Sequence, residues 1–290
     1  MEERQITEMM QSINAAPPPP IRSGPRKRIA VIRFENAGRL GQRYGEWDVG
    51  GGLAAQLTTA LIESGKFIVV ERAAIRDVLR EQEMELETVV SRETAAKAGH
   101  ILGAQLLVKG AVTEFEQDAG GAGKVVNAQV GLDLRLIDTT TGQVVRSVRS
   151  EAKASKRGAA ATIDVRQVSF GSDTFNSLPL GQATRLAIQR GVAAVHAQME
   201  RLPWTARVVD VVDGVVYINA GREAALQTGD QFVVTSIVRE LTDPDTEQIR
   251  AVIESHVGQL AVEKVEHTYS SGRMVSGNAP KRGDLVKHVQ

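Results

Sequence analysis

The chain has 290 residues, 35 Lys and Arg against 35 Asp and Glu, no cysteine, and few aromatics: 2 Trp, 3 Tyr and 6 Phe. That length suggests two domains, each large enough to bury a core. A formal net charge of +0 excludes broad nucleic-acid binding, which meets the phosphate lattice with a Lys/Arg excess, and the missing thiols exclude disulfides, thiolate nucleophiles, Cys-ligated metals and acyl anchors.

Residues 1–27 read as a disordered, proline-rich tail. Its start carries Glu2, Glu3 and Glu8 and lacks the basic, then apolar, then small-residue pattern of a secretory signal. The run Pro17 to Pro20 favours an extended polyproline conformation. It reads as a semi-rigid linker, with a partner-binding motif as the other reading.

The first folded region opens with a β-branched run, RIAVIRF from Arg28 to Phe34, which predicts a buried strand. A polar loop follows. Leu53, Leu57, Ala60 and Leu61 then recur at helical spacing, with Asp48 as candidate cap and Gly65 as stop. Residues 66–70 predict a second strand, residues 71–82 and 91–98 two more helices, and residues 106–115 a third strand. From Val126, apolar residues alternate through Ala128, Val130, Leu132, Leu134 and Leu136, the mark of a half-buried antiparallel strand. Residues 143–149 form its partner after the Thr140-Thr141-Gly142 turn. Residues 150–177 have no firm period. Residues 180–202 are again helical, with Ala183, Leu186, Ala187, Val192, Val195 and Met199 as the apolar stripe.

The fold class is therefore α+β: a three-layer-like sandwich of helices on a mixed or antiparallel sheet with two hairpin extensions, followed by a small β-barrel-like domain. The boundaries fall at 28–202 for the first domain, with hairpin segments at about 114–128 and 151–176, and at 203–290 for the second. In the latter, Asp213-Gly214 between two β-branched runs is a strong hairpin signal.

No pattern for catalysis emerges. The five histidines, His100, His196, His256, His267 and His288, lack metal-ligand spacing and read as solvated or loop residues. Gly50-Gly51-Gly52 before a helix could bring amides to an anion; without a downstream lysine, a tight helix entry is the better reading. Asp243 and Asp245 sit in a Thr-Asp-Pro-Asp-Thr turn, where Asx-turn chemistry accounts for them. The chain reads as a non-enzyme with no cofactor and no metal. No apolar run reaches the roughly 18–20 residues of a membrane helix, so a membrane role would use strands or association.

The ordered set of features from Arg28 to Met199 resembles the curli secretion channel, or CsgG-like, family. It comprises the first strand, Trp47-Asp48, Gly50 to Ala54, Leu57 to Leu61, Gly65-Lys66-Phe67, Val70-Glu71-Arg72, Ala104 to Gly110, Val130 to Asp138, Thr141-Gly142 and Leu178 to Arg185. Val215 to Gly221, Gly229 to Phe232 and Arg282 to Asp284 resemble the carboxy-terminal module of the flagellar assembly protein FlgT.

The first resemblance implies a homo-oligomeric ring at the periplasmic face of the outer membrane, with a targeting segment removed or preceding Met1. Each subunit would lend two hairpins to a shared barrel. It implies as partners further copies of the chain, and an exported polypeptide or accessory periplasmic proteins. Matched by position, the constriction loop is residues 36–48, making Tyr44, Glu46 and Trp47 candidate collar residues, although Tyr44 and Trp47 could instead anchor the loop. The membrane-hairpin candidates are Phe115, Val126, Ile163, Val165, Val168 and Phe170. Membrane strands need about 9–11 residues of outward apolar alternation, and residues 152–175 carry Lys153, Lys156, Arg157, Asp164 and Arg166. A ring without a membrane barrel, like flagellar collar parts or peptidoglycan-synthase activators, is therefore the competing reading.

Overall fold

The computed structural model describes residues 24–37, 47–70, 103–118, 125–139, 142–157, 168–244 and 249–288. Its first half is a five-stranded mixed sheet in the order β2-β1-β3-β4-β5. The strands are β1 (Lys27–Asn36), β2 (Phe67–Val70), β3 (Leu106–Gln117), β4 (Val125–Asp138) and β5 (Val144–Arg157). β1 lies parallel to both β2 and β3, which requires crossovers, whereas β3-β4 and β4-β5 are antiparallel. A register shift between Val31 and Phe34 puts both residues, with Ile29, in one core. Ala30, Ile32 and Leu107 are also buried but stand outside that core, so both faces of the sheet are covered around β1. The helices expected at 71–82 and 91–98 lie outside the described residues.

Two helices, α1 (Val49–Glu63) and α3 (Pro179–Met199), pack against the same face. The Asp48 carboxylate accepts a hydrogen bond from the Gly51 amide at 2.9 Å and caps α1. The three glycines after it make the close approach possible: a Cβ on Gly50 would strike the Phe34 carbonyl, and one on Gly52 would enter the Phe170 ring. In α3 the stripe differs from expectation at one place. Leu186 is exposed, while Ile188 and Gly191 face inward, because Gly191 brings the helix close enough to touch Leu134 of β4. The Ser150 hydroxyl donates to the Ala187 carbonyl at 2.6 Å, fastening α3 to β5.

The second half, from Thr205, is a closed barrel in the order β10-β7-β6-β11-β8-β9. Its strands are β6 (Thr205–Val212), β7 (Val215–Ile218), β8 (Gln231–Thr242), β9 (Ile249–Val265), β10 (Ser270–Gly277) and β11 (Leu285–His288), with a 3₁₀ turn at Arg222–Ala224. Asp213 and Gly214 both have positive φ, 49° and 76°, the primed turn that the Asp-Gly pair predicts. Trp204, Val208, Ile218, Phe232, Val234, Leu260 and Val286 fill the barrel. Strand dominates the described residues, in line with an α+β class weighted toward β.

One boundary is corrected, and two features were not visible in the sequence. β1 starts at Lys27, not Arg28. Of the hairpin segment expected at 151–176, residues 151–157 continue β5 against β4, residues 158–167 lie outside the described residues, and Asp173–Ser177 is a short helix, α2, capped by Ser172 accepting from the Phe175 amide at 3.2 Å. The β8-β9 pair runs well past the barrel, from Ser236–Ser255 to Thr242–Ile249. Three register shifts along the β8-β9 pair, two of them within the ribbon, break its period-2 pattern, which hides it in the sequence.

The two halves are joined through backbone and core. The Arg26 amide donates to the Ala224 carbonyl at 2.8 Å, Trp204 Nε1 donates to the Arg26 carbonyl at 3.1 Å, Gln105 Nε2 donates to Thr205 Oγ1 at 2.9 Å, Arg28 pairs with Glu223, and Ile68 of β2 packs against the barrel core.

Candidate functional site

The two segments singled out for pore formation return to one cluster of rings. The loop after β1 comes back at Trp47, whose indole meets Phe170 edge-on at 5.6 Å between centroids and Phe175 at 5.8 Å. The segment after β5 comes back at Val168 and Phe170. Phe170 stacks at 4.9 Å on Phe175 and lies 6.1 Å from Phe115. Gly52 leaves the space that the Phe170 ring fills. At its departure the β1 loop is held by the Ala37 amide, which donates to the Val112 carbonyl at 3.0 Å.

Tyr44, Glu46, Ile163 and Val165 lie outside the described residues. The structure brings Trp47, Phe115, Val168 and Phe170 together. Phe115 and Val126 are fully buried, and Trp47, Val168 and Phe170 are partly buried against the main core. In this conformation none of the described hairpin candidates points outward. Sequence reading missed Phe175 as the fourth ring of the cluster; its signal was the Ser172 cap, which starts a helix inside a stretch without period.

What faces outward on the strand extensions is mostly polar, with Val125 as an exposed apolar exception. Glu116, Lys153, Ser155 and Arg157 are exposed. Arg149 bridges Glu114, at 3.0 Å, and Glu151, and Gln129 donates to Glu114. The hydrogen bond to Glu151 and its charge push the Arg149 guanidinium further up, keeping it protonated.

Two clefts flank the junction between sheet and barrel. One, of about 520 Å³, is bounded by Gln105, Asp138, Glu254 and Lys287; the other, of about 580 Å³, by Lys66, His196, Glu200, Trp204 and His288. Lys27 lines both and donates to the Met199 carbonyl, where burial pushes its ammonium pKa down and Glu200 pulls it back up. No group of three His, Cys, Asp or Glu side chains among the described residues could hold a metal ion. No described helix is long and apolar enough to cross a membrane, which says nothing about strands.

A family model described as curli production assembly/transport component CsgG matches residues 7–232. The chain belongs to the CsgG family. The match runs beyond Met199 through β6 and β7 of the barrel to the start of β8, so the CsgG-family region is longer than the resemblance from Arg28 to Met199 suggested. No curated protein matches the sequence significantly. Among solved structures, the hypothetical protein CT253 from Chlamydia trachomatis is 16% identical, covering 59% of this chain and 96% of its own, with a TM-score of 0.42. The lipoprotein GNA1162 from Neisseria meningitidis is 16% identical over 61% of this chain and 99% of its own, with a TM-score of 0.36. A PelC dodecamer from Paraburkholderia phytofirmans is 18% identical over 58% and 90%, with a TM-score of 0.29.

Proposed function

We propose that this CsgG-family chain is a subunit of a non-catalytic, ring-shaped secretion channel that passes extended polypeptide at the outer membrane. The observation that carries this reading is the shared ring cluster: Trp47 at the end of the β1 loop packs on Phe170 at the end of the segment after β5. Collar loop and barrel segment would thus leave the domain side by side, as a channel that narrows next to its wall requires. Tyr44 and Glu46 form the collar. Repeated around the axis, one aromatic and one carboxylate per subunit narrow the bore and give it a negative ring. Trp47 is the anchor that aims the loop. Passage is diffusional.

A second reading, a ring that stays in water as a scaffold, is favoured by the charged outer surface of the extensions, with Lys153, Arg157 and Glu116 exposed. Planar-bilayer recording of the purified oligomer separates the two. Channel activity is expected, with Tyr44→Ala raising single-channel conductance and Glu46→Gln lowering cation preference. Unchanged conductance and selectivity in both variants would remove the collar assignment. An oligomer that neither enters liposomes nor conducts establishes the scaffold, and a monomer at every concentration, with or without detergent, ends both readings.

A further inference from the structure

The larger of the two junction clefts, about 580 Å³, collects basic side chains from four separate segments. Arg26 and Lys27 come from the entry to β1, Lys66 from the turn between α1 and β2, His196 from the last turn of α3, and His288 from the end of β11. Among the described residues around it Glu200 is the one carboxylate, and it is already shared with His196 at 3.6 Å. The other cleft is closer to balance. There Lys27, Arg207 and Lys287 meet Asp138 and Glu254, and Glu254 is tied to Lys287. Charge therefore directs an anion to the larger cleft.

Lys27 gives that imbalance an energetic cost. It is half-buried, and its bond to the Met199 carbonyl occupies one of three N–H groups and neutralises no charge. The carboxylate that acts on it is Glu200, whose side chain is 69% exposed. Burial accordingly outweighs Glu200 and pushes the Lys27 pKa down. A partly desolvated ammonium gains from a counter-ion that enters beside it. The floor of the cleft is apolar, made by Phe67, Met199 and Trp204. His196 stands edge-on to Phe67 at 6.0 Å between centroids. His288 packs at 6.0 Å on Phe232, which packs in turn on Trp204 at 5.1 Å, so both imidazoles are fixed against ring supports.

A carboxylate ligand, with one charge and two oxygens, answers too little of this lining. A phosphate ester carries about −1.5 to −2 charge at neutral pH and three strong acceptor oxygens. Inorganic phosphate would leave most of the cleft unfilled, whereas its volume of about 580 Å³ and its place between two domains are those of a small-molecule site with an apolar body and a few convergent polar groups.

We propose that this cleft binds an organic phosphate monoester, with the phosphate held by Lys27, Lys66 and Arg26 and the organic part lying on Phe67, Met199 and Trp204. The transport reading does not use this site. Phenyl phosphate is the probe, titrated calorimetrically into the full-length protein, with benzoate and phenol as its carboxylate and neutral counterparts. Phenyl phosphate should bind about tenfold tighter than benzoate, and phenol should not register. Lys27→Gln and Lys66→Gln should each weaken phenyl phosphate about fivefold. Glu200→Gln should tighten it about threefold, a gain that a damaged fold would not produce. Bound ligand should also slow hydrogen exchange at the Arg26 and His288 amides, one on each side of the junction. No binding of phenyl phosphate, benzoate binding as tightly, or an affinity unchanged in both Lys66→Gln and Glu200→Gln overturns the proposal. Vesicles of phosphatidylcholine with and without phosphatidic acid separate the sources of such a head group. Cosedimentation that needs both phosphatidic acid and Lys66 assigns a lipid, and phenyl phosphate binding without it assigns a soluble ester.

Discussion

Trp47 shows how one side chain can decide where a segment points. Its indole is wedged edge-on against Phe170 and Phe175, and the packing works only because Gly52 offers no Cβ to the Phe170 ring. Two substitutions test the wedge from opposite sides. Trp47→Ala removes a large, partly buried ring and should cost about 2–4 kcal/mol by leaving a cavity. Gly52→Ala keeps every aromatic but overfills the site and should cost about 1–3 kcal/mol. Urea unfolding should record both losses, with the Trp47→Ala loss reduced when Gly52→Ala is already present, because the two changes act on one space. Simple additivity would place Trp47 outside this cluster. Trp47 and Asp48 were legible as residues of interest, but their partners were not. Phe170 and Phe175 lie more than a hundred positions away, in a stretch whose apolar residues follow neither helical nor strand spacing.

At the scale of an element, the ribbon made by the outer parts of β8 and β9 pairs with no further strand among the described residues, and Glu254 ties its base to β11. That carboxylate accepts from Lys287 at 2.7 and 2.5 Å and from Thr235 at 2.8 Å. Burial alone would raise its pKa, but the bonds from Lys287 and Thr235 and the lysine charge outweigh burial and hold it below the ordinary carboxylate value. A group depressed in the folded state binds fewer protons there than in the unfolded chain. Its contribution is therefore complete above the ordinary carboxylate value and is lost as pH falls through the depressed one. Hydrogen exchange of the ribbon amides should accordingly show protection that falls in acid beyond the trend of the β6-β7 amides. Glu254→Gln should lower protection at neutral pH, by about 1–3 kcal/mol, and remove the extra acid step. An acid step that survives in the Gln variant would assign it to another group. The ribbon illustrates a limit of pattern reading: the Asp213-Gly214 hairpin announces itself because its turn residues are diagnostic, whereas the bulges between Val234 and Thr235 and between Ile237 and Arg239 scramble alternation in a strand pair of equal standing.

For the whole molecule, the question is how firmly a sheet domain and a barrel act as one body. Among the described residues the link includes Ile68 on the barrel core, the Arg28-Glu223 pair, the Arg26-Ala224 and Gln105-Thr205 hydrogen bonds, and the Trp204 indole, which packs at 5.1 Å on Phe232 inside the barrel while donating to Arg26 outside it. Trp204→Phe keeps a ring in the core and deletes the donor. It should cost about 1 kcal/mol, and it should also increase exchange at Arg26, whose carbonyl loses its partner. Calorimetry and exchange on the same sample check this, and a loss confined to the β6-β11 core amides would mean that the indole serves packing alone. The same region holds both junction clefts, so loosening the link would be felt on either side of Lys27.

The sequence by itself determined what depends on neighbours a few residues apart. The β1 run, the α1 stripe behind Asp48, the alternation of β4 and the β6-β7 turn are written in spacings that local geometry reads directly, and the ordered set of these features carried the family. Tertiary structure alone decided what depends on residues far apart meeting. It turned Phe115 and Val126 inward, drew Phe170 onto Trp47, set Leu186 outside so that Gly191 could meet Leu134, and extended β8 and β9 into a ribbon. Each of these follows from the requirement that apolar area be shared between elements, and a linear pattern shows which residues are apolar without showing which surface will cover them.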